Sequence, residues 1–379
     1  MASAAFTNAK IVLENEIIDG SLRIEEGCIA AIDEGATAIG EDCHGDLLIP
    51  GLIELHTDHL EGHYAPRPGV RWNPVAAVQA HDAQIVASGI TTVYDALRIG
   101  MDEDSRLQSS DMRTLADAII HGSERGRLRA DHFIHLRCEV SSPDAVEGFE
   151  LFKDDDKVKL ASLMDHTPGQ RQFTSIDVYK RYYQGKTGMS DEEFELFVER
   201  RTKQSDAVAE PNRQQLAQLC QERGIILASH DDATEAHVAE AVDHKVLVAE
   251  FPTTVEAARA SRENGMSVLM GAPNVVRGGS HSGNVSASDL ADAGLLDILS
   301  SDYVPFSLLH AAFLLAERAG GDEALPASIK TVSTNAADVM GLDDRGRIAI
   351  GKRADVVRVT QAGEIPVVRA VYREGQRVL

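Results

Sequence analysis

Through the middle of the chain, short apolar runs alternate with stretches whose apolar positions recur every three or four residues. The first pattern marks buried strands and the second amphipathic helices. Eight runs read as strands: Ile53–Asp58, Thr91–Ala96, Phe133–Glu139, Lys159–His166, Ile225–His230, Val246–Phe251, Ser267–Ala272 and Leu296–Asp302. Helical spacing falls between most of them, at Asn73–Ser88, Met112–Arg125, Pro211–Arg223, Ala233–Val242 and Thr254–Asn264. Strand and helix in alternation predict a parallel α/β sheet. Eight such units favour a closed (β/α)8 TIM-type barrel over a doubly wound sheet.

Both ends of the chain have a different texture. Up to about Leu47 the residues read as short strands, with turn signals at Asp19-Gly20 and Glu26-Gly27. Near the other end, Arg347–Ile350, Ala354–Thr360 and Val367–Arg373 repeat that pattern. The expectation is a small β-sandwich built from residues 1–47 and 346–379, flanking a barrel of residues 48–345. Two connections are longer than a barrel requires. Residues 59–73 hold Pro66, Pro68 and Gly69 and read as an ordered loop over the mouth. The insertion at about 167–210 is polar and partly helical, with Tyr179, Tyr182 and Tyr183, and reads as a candidate lid.

Composition narrows the function. A formal charge of −23 over 379 residues argues against a nucleic-acid partner, which would meet a repulsive field. A small anionic substrate stays open, because a local arginine cluster beside a metal can dominate inside a cleft. The four cysteines are scattered with no CxxC pair, which points to a reducing, cytoplasmic setting without a disulfide framework. No apolar run approaches the length of a membrane span, so no membrane partner is expected.

The chemistry gathers at strand ends. His56 and Asp58, two apart on the first strand, share a face. Glu139, Asp165-His166, His230-Asp231-Asp232 and Asp302 close four further strands. A single His or Asp there is ordinarily a turn or capping residue, and Asp231 and Asp232 could cap the helix near Ala233. The same chemistry at five of eight strand ends points instead to a cation held at the barrel mouth. For anions, Arg67, Arg171, Arg277 and His281 lie in loops beyond strands, while Arg137 alternates with Glu139 and could pair with it. The run Arg277–Gly283 combines glycines, hydroxyls and an imidazole in a loop able to cradle phosphate, without being a Walker motif. Lys186, Tyr182 and Tyr183 are candidate substrate contacts from the lid, and His81, inside a helical pattern, reads as structural.

Pro50-Gly51-Leu52-Ile53-Glu54-Leu55-His56, followed near the end of the chain by Gly351-Lys352-Arg353-Ala354-Asp355, resembles the amidohydrolase superfamily. Further blocks extend the likeness over nearly the whole chain: Leu136-Arg137-Cys138-Glu139, Ser162–Phe173, Ala228–Thr234 and Arg277–Asn284. The resemblance implies a hydrolase using one or two divalent metal ions, with Zn²⁺ expected. It places His56, Asp58 and Asp302 on one ion and His166 and His230 on a second, with Glu139 shared, since no lysine stands at a suitable strand end. The superfamily usually has His-x-His where this chain has His56-x-Asp58.

The likeness runs closest to a branch that serves phosphonate utilisation. It implies a small phosphorylated substrate, α-D-ribose 1-methylphosphonate 5-triphosphate, cleaved to the 5-phosphate and pyrophosphate. Asp302 is then the group that accepts the proton of the attacking water, and Arg67, Arg171, Lys186, Arg277 and His281 are substrate contacts. The alternatives are hydrolysis of an amide or imine, and a non-catalytic binding homologue. A homo-oligomer is expected, as is common in the superfamily.

Overall fold

A computed structural model describes residues 3–100, 107–171, 176–280, 283–361 and 363–379. All eight predicted barrel strands are present: Leu52–Thr57, Ile90–Ile99, Asp131–Glu139, Val158–Met164, Ile226–His230, Val248–Glu250, Ser267–Gly271 and Ile298–Ser300. They pair in sequence order as one parallel sheet. The ring is closed at its C-terminal rim by backbone bonds between the last strand and the first. Asp302 N–H donates to the His56 carbonyl at 3.1 Å, and Asp58 N–H to the Asp302 carbonyl at 3.2 Å. Inside, Tyr94, Leu160, Ala228, Val248, Leu269 and Ile298 form one apolar cluster. Each stands an even number of positions before a strand-end residue, so the strand alternation that fills the barrel also aims those residues inward. Ala336, Ala337 and Met340, on and just after the helix Thr334–Val339, join the same cluster.

The termini share a second sheet of eight strands. Its order is Gln376–Arg377, Pro366–Arg373, Val356–Gln361, Leu47–Pro50, Ala4–Val12, Ile17–Glu25 and Cys28–Glu34, with Glu41–Asp42 beside Ala4–Val12. The sheet curls until Cys28 bridges to Arg353, enclosing Phe6, Ile11, Leu22, Ile24, Val356 and Tyr372. Leu47–Pro50 pairs along its whole length with Val356–Val359, so the chain passes from sheet to barrel at Gly51 rather than after Leu47.

The expected turn at Asp19-Gly20 is instead continuous strand. Gly20 is needed because a Cβ there would lie 2.3 Å from the Asp33 carbonyl oxygen of the neighbouring strand. The turn at Glu26-Gly27 is present, with both residues at positive φ, the geometry of a tight hairpin. Arg347–Ile350 forms no strand.

The insertion folds as two helices, Ile176–Thr187 and Asp191–Arg223. The second begins at a capping box on Ser190 and Glu193 and runs 33 residues, passing through Pro211, where the sequence suggested a helix start. A proline removes one helical hydrogen bond and normally kinks or breaks a helix. Here the flanks are tied to the loop after the third barrel strand. Gln204 donates to the Ser141 carbonyl, and Asn212 to the carbonyls of Val140 and Ser142. Tyr179, Phe194 and Phe197 give the insertion a small core of its own.

Gly51 is where sheet and barrel meet. Its N–H donates to the Asp355 carbonyl at 2.8 Å, and an added Cβ would lie 2.2 Å from Thr91 Oγ1. Gly51→Ala is expected to destabilise the fold by about 1–3 kcal/mol through overpacking. A lower urea midpoint at unchanged slope would show it; an unchanged midpoint would mean that the junction yields freely.

Candidate active site

The rim of the barrel surrounds a cavity of about 380 Å³. His56, Asp58, His166, His230 and Asp302 all line it, as the strand-end pattern predicts. So do Asp231, Arg98, Arg137, Arg277 and Tyr183.

One carboxylate organises two of the imidazoles. Glu250, at the end of the sixth strand, stands 3.1 Å from His56 Nδ1 and 3.2 Å from His230 Nδ1, one oxygen to each. An imidazole that donates from Nδ1 keeps the lone pair on Nε2. Burial depresses the pKa of both, that of His230 to about 3, so both rings stay neutral. Neutral imidazoles with one nitrogen fixed by a carboxylate are the usual form of histidine metal ligands.

Glu139 does the same for His166. Its Oε2 lies 2.6 Å from His166 Nδ1, and its Oε1 accepts the His166 N–H and the Ser141 hydroxyl. Burial alone would raise its pKa, but His166, with Arg98 and Arg201 behind it, holds the carboxyl well below the ordinary range. Both Glu139 oxygens are thus engaged, Oε1 by Ser141 and the His166 backbone and Oε2 by the His166 ring and Arg98.

The freed nitrogens meet at Asp231. Its Oδ2 is 3.5 Å from His230 Nε2 and 3.8 Å from His166 Nε2, and it has no hydrogen-bond partner among the described residues. Two lone-pair nitrogens around an orphaned buried carboxylate oxygen are the donor set that a divalent cation takes. Asp231 does not cap the following helix; Thr234 does. Burial pushes Asp231 up to about 7. Burial and the nearby Asp58 push Asp302 to about 7 as well. Asp58 is engaged by Arg137, whose Nη1 reaches it at 3.1 Å. Asp231, Phe251 and Asp302, each just past a strand, have φ of 58°, 53° and 55°. Such left-handed conformations cost of order 1–3 kcal/mol and gather at functional sites.

The anion contacts are redistributed relative to expectation. Arg277 lines the cavity, with Gly279, Ser280 and Asn284 of its loop. Arg171 does not. It is buried, and its guanidinium is engaged by Asp232 and by Glu240. Arg67 sits exposed in its loop and is not among the residues that line the cavity. His281 and the Lys186 side chain lie outside the described residues. Arg98, which the sequence reading passed over, reaches Glu139 at 3.4 Å and leaves its Nε without a partner among the described residues. Glu250 was also overlooked, although it lies one residue before the end of a predicted strand.

A parallel barrel carrying imidazoles and carboxylates at its C-terminal rim defines the class of protein, and the comparisons agree. Residues 214–379 match the profile of the amidohydrolase family Amidohydro_3. Over 373 residues the chain is 48% identical to alpha-D-ribose 1-methylphosphonate 5-triphosphate diphosphatase of Escherichia coli (strain K12), covering 98% of this chain and 99% of that protein. The chain belongs to the family of that diphosphatase, among the amidohydrolases.

Solved structures share the fold at low identity. N-acetyl-D-glucosamine-6-phosphate deacetylase from Mycobacterium smegmatis aligns with a TM-score of 0.66 at 16% identity, over 99% of this chain and 100% of that one. 5-Methylcytosine deaminase from Klebsiella pneumoniae liganded with phosphonocytosine aligns at 0.65 and 15%, over 99% and 98%.

If Glu250 orients two ligands, Glu250→Gln should weaken divalent-cation binding about 10–100-fold, measured by chelator competition. Unchanged affinity would remove it from that role.

Proposed function

We propose that this chain hydrolyses α-D-ribose 1-methylphosphonate 5-triphosphate to the 5-phosphate and pyrophosphate, as the name of its 48%-identical relative describes. The observation that carries the reading is the pairing of two chemistries in one cavity. The imidazole–carboxylate cluster of His56, His166, His230, Asp231 and Asp302 faces the same space as the guanidinium groups of Arg98, Arg137 and Arg277. An amide or imine substrate has no use for three arginines; a polyphosphate does.

In this reading His56, His166, His230 and Asp302, with Asp231, hold the cation, and Zn²⁺ is the ion, one or two per chain. Glu139 and Asp58, expected as ligands, act one step behind: Glu139 orients His166, and Asp58 is held by Arg137. A bound divalent cation supplies the Lewis acidity that activates water and polarises phosphoryl oxygens. Asp302 accepts the proton of the attacking water, its basicity raised by burial and by Asp58. Arg277, with the Gly279–Ser280 backbone and Asn284, receives the charge that collects on departing pyrophosphate. Tyr183 brings the insertion to the cavity and so serves as its lid. Among the described residues no helix is long and apolar enough to cross a membrane. The reading carries a cytoplasmic homo-oligomer with it.

Phosphorus NMR of the full-length protein with the triphosphate tests the reaction directly. Pyrophosphate should appear, and Asp302→Asn should slow its release by about 10²–10⁴-fold. Amide turnover without phosphoanhydride cleavage would overturn the reading.

Two arginines should separate cleanly. Arg277→Ala is expected to raise KM at least about 10-fold, the loss of one charge-assisted contact worth about 1.5–3 kcal/mol. Arg171→Ala should leave KM alone but cost about 3 kcal/mol of stability, because it strands buried Asp232. A raised KM in Arg171→Ala would restore that residue to the substrate site.

A further inference from the structure

The arginines that face the cavity are not gathered at one point of the rim. Arg277 ends the short helix that follows the seventh barrel strand. Arg98 stands near the end of the second strand, and its Nη2 reaches across to Glu139 at the end of the third. In a closed ring of eight strands the third and the seventh are four places apart. The two guanidinium groups therefore lie on opposite sides of the mouth. The proposed cation ligands occupy the arcs between them, His166 and His230 on one and His56 and Asp302 on the other.

Arg98 is little used by the protein itself. Its ion pair is a 3.4 Å approach to Glu139 Oε2, an oxygen that already has the His166 ring at 2.6 Å. Its Nε is buried with no hydrogen-bond partner among the described residues. Arginine offers its donors in a rigid planar fork, and a buried donor left unpaired in a native protein calls for an explanation. Tyr183 of the insertion lines the same cavity, its ring held 4.4 Å from Tyr179 and 5.2 Å from Phe197. Burial pushes the Tyr183 phenol up, and the nearby Arg201 and Arg98 charges work against that shift. This corner of the mouth thus sets a guanidinium beside an aromatic ring.

The substrate proposed above has an anion at each end. Its triphosphate is the reacting end. Its methylphosphonate ester spreads one negative charge over two free oxygens and carries a methyl group on the same phosphorus. Two oxygens suit the fork of a guanidinium, and a methyl suits the face of a ring. We propose that Arg98 and Tyr183 form a second anion subsite that takes the non-reacting methylphosphonate, across the mouth from Arg277 at the triphosphate end. The inference rests on the function proposed above and adds to it the direction in which the substrate lies. Held at both ends, the substrate has its reacting phosphoryl group fixed over the carboxylates and imidazoles. A substrate without the phosphonate leaves Arg98 unpaired and is discriminated against.

Two substrates given to the full-length protein test this: the methylphosphonate triphosphate, and ribose 5-triphosphate, which lacks only the phosphonate. The quantity read is the ratio of their kcat/KM values. Arg98→Ala should lower that ratio at least about 10-fold, chiefly through KM, by loss of one charge-assisted contact. Arg98→Lys, which keeps the charge without the fork, should restore part of it. Arg277→Ala should lower both kcat/KM values and leave their ratio as it was. An unchanged ratio in Arg98→Ala would overturn the proposal and leave Arg98 as a support for Glu139. Calorimetry reads the subsite without turnover. The parent's preference for the product, ribose 1-methylphosphonate 5-phosphate, over ribose 5-phosphate should fall about 10-fold in Arg98→Ala. A parent without that preference would overturn the subsite. A parent that cleaves neither triphosphate overturns the function reading instead, and the binding preference still decides the subsite.

Discussion

The mouth of this barrel is governed by the cost of removing carboxylates from water. Glu54, Glu139, Asp231, Glu250 and Asp302 are buried or nearly so around one rim. Each ionised group costs several kcal/mol to desolvate unless something compensates. The protein compensates unevenly. Glu250 has an imidazole on each oxygen, and Glu139 has His166, Ser141 and the edge of Arg98. Glu54 accepts the backbone N–H groups of His56 and Ser301, yet burial still pushes it up to about 8. Asp231 and Asp302 are left short of positive charge. A buried acidic rim beside imidazoles offers the donor chemistry that a divalent cation takes, and that electrostatic imbalance shapes the site more than any single contact does.

The scaffold keeps the rim under this electrostatic load because the load falls on backbone. Asp302 closes the ring through two backbone hydrogen bonds, to His56 and from Asp58, and Thr57 Oγ1 adds a third contact on the Asp302 carbonyl at 2.8 Å. The left-handed turns at Asp231 and Asp302 bend the chain sharply inward, so short side chains reach the cavity from strands that would otherwise run past it. Aspartate tolerates that conformation better than most residues. The same acid thus serves turn geometry and site chemistry, which explains why a capping role and a ligand role were hard to separate at Asp231.

The strands were legible because their signal is local. Apolar runs of the right length, each ending in His, Asp or Glu, show both the barrel and the side that carries its site. What stayed hidden depends on register between strands. Glu250 matters because it pairs with His230 across two neighbouring strands while reaching His56 across the barrel. Nothing within residues 246–251 states either relation. Arg171 misled for a related reason. It follows the fourth strand in a loop, with φ of 35°, and that turn sends its guanidinium to Asp232 and Glu240 instead of the cavity. Arg98 was missed because it sits inside a strand running three residues beyond its predicted end.

The seam where the barrel closes also touches its flank, at His59. Asp302 faces the cavity, while the carbonyl of its neighbour Tyr303 faces outward to His59. A movement of the segment after the first strand would pull on Tyr303 and so on the backbone that places Asp302. Rim and flank therefore meet at one stretch of backbone, Asp302–Tyr303. Helix Pro74–Ala87 supplies the fixed side of that linkage. His81 is anchored from it to Asp95, and Asp82 accepts the backbone N–H groups of Arg129 and Ala130 ahead of the third strand. If Asp302 is the proton acceptor that we propose, its place on a left-handed residue at the closure of the barrel calls for such an anchor, since small displacements of a catalytic carboxylate cost rate steeply.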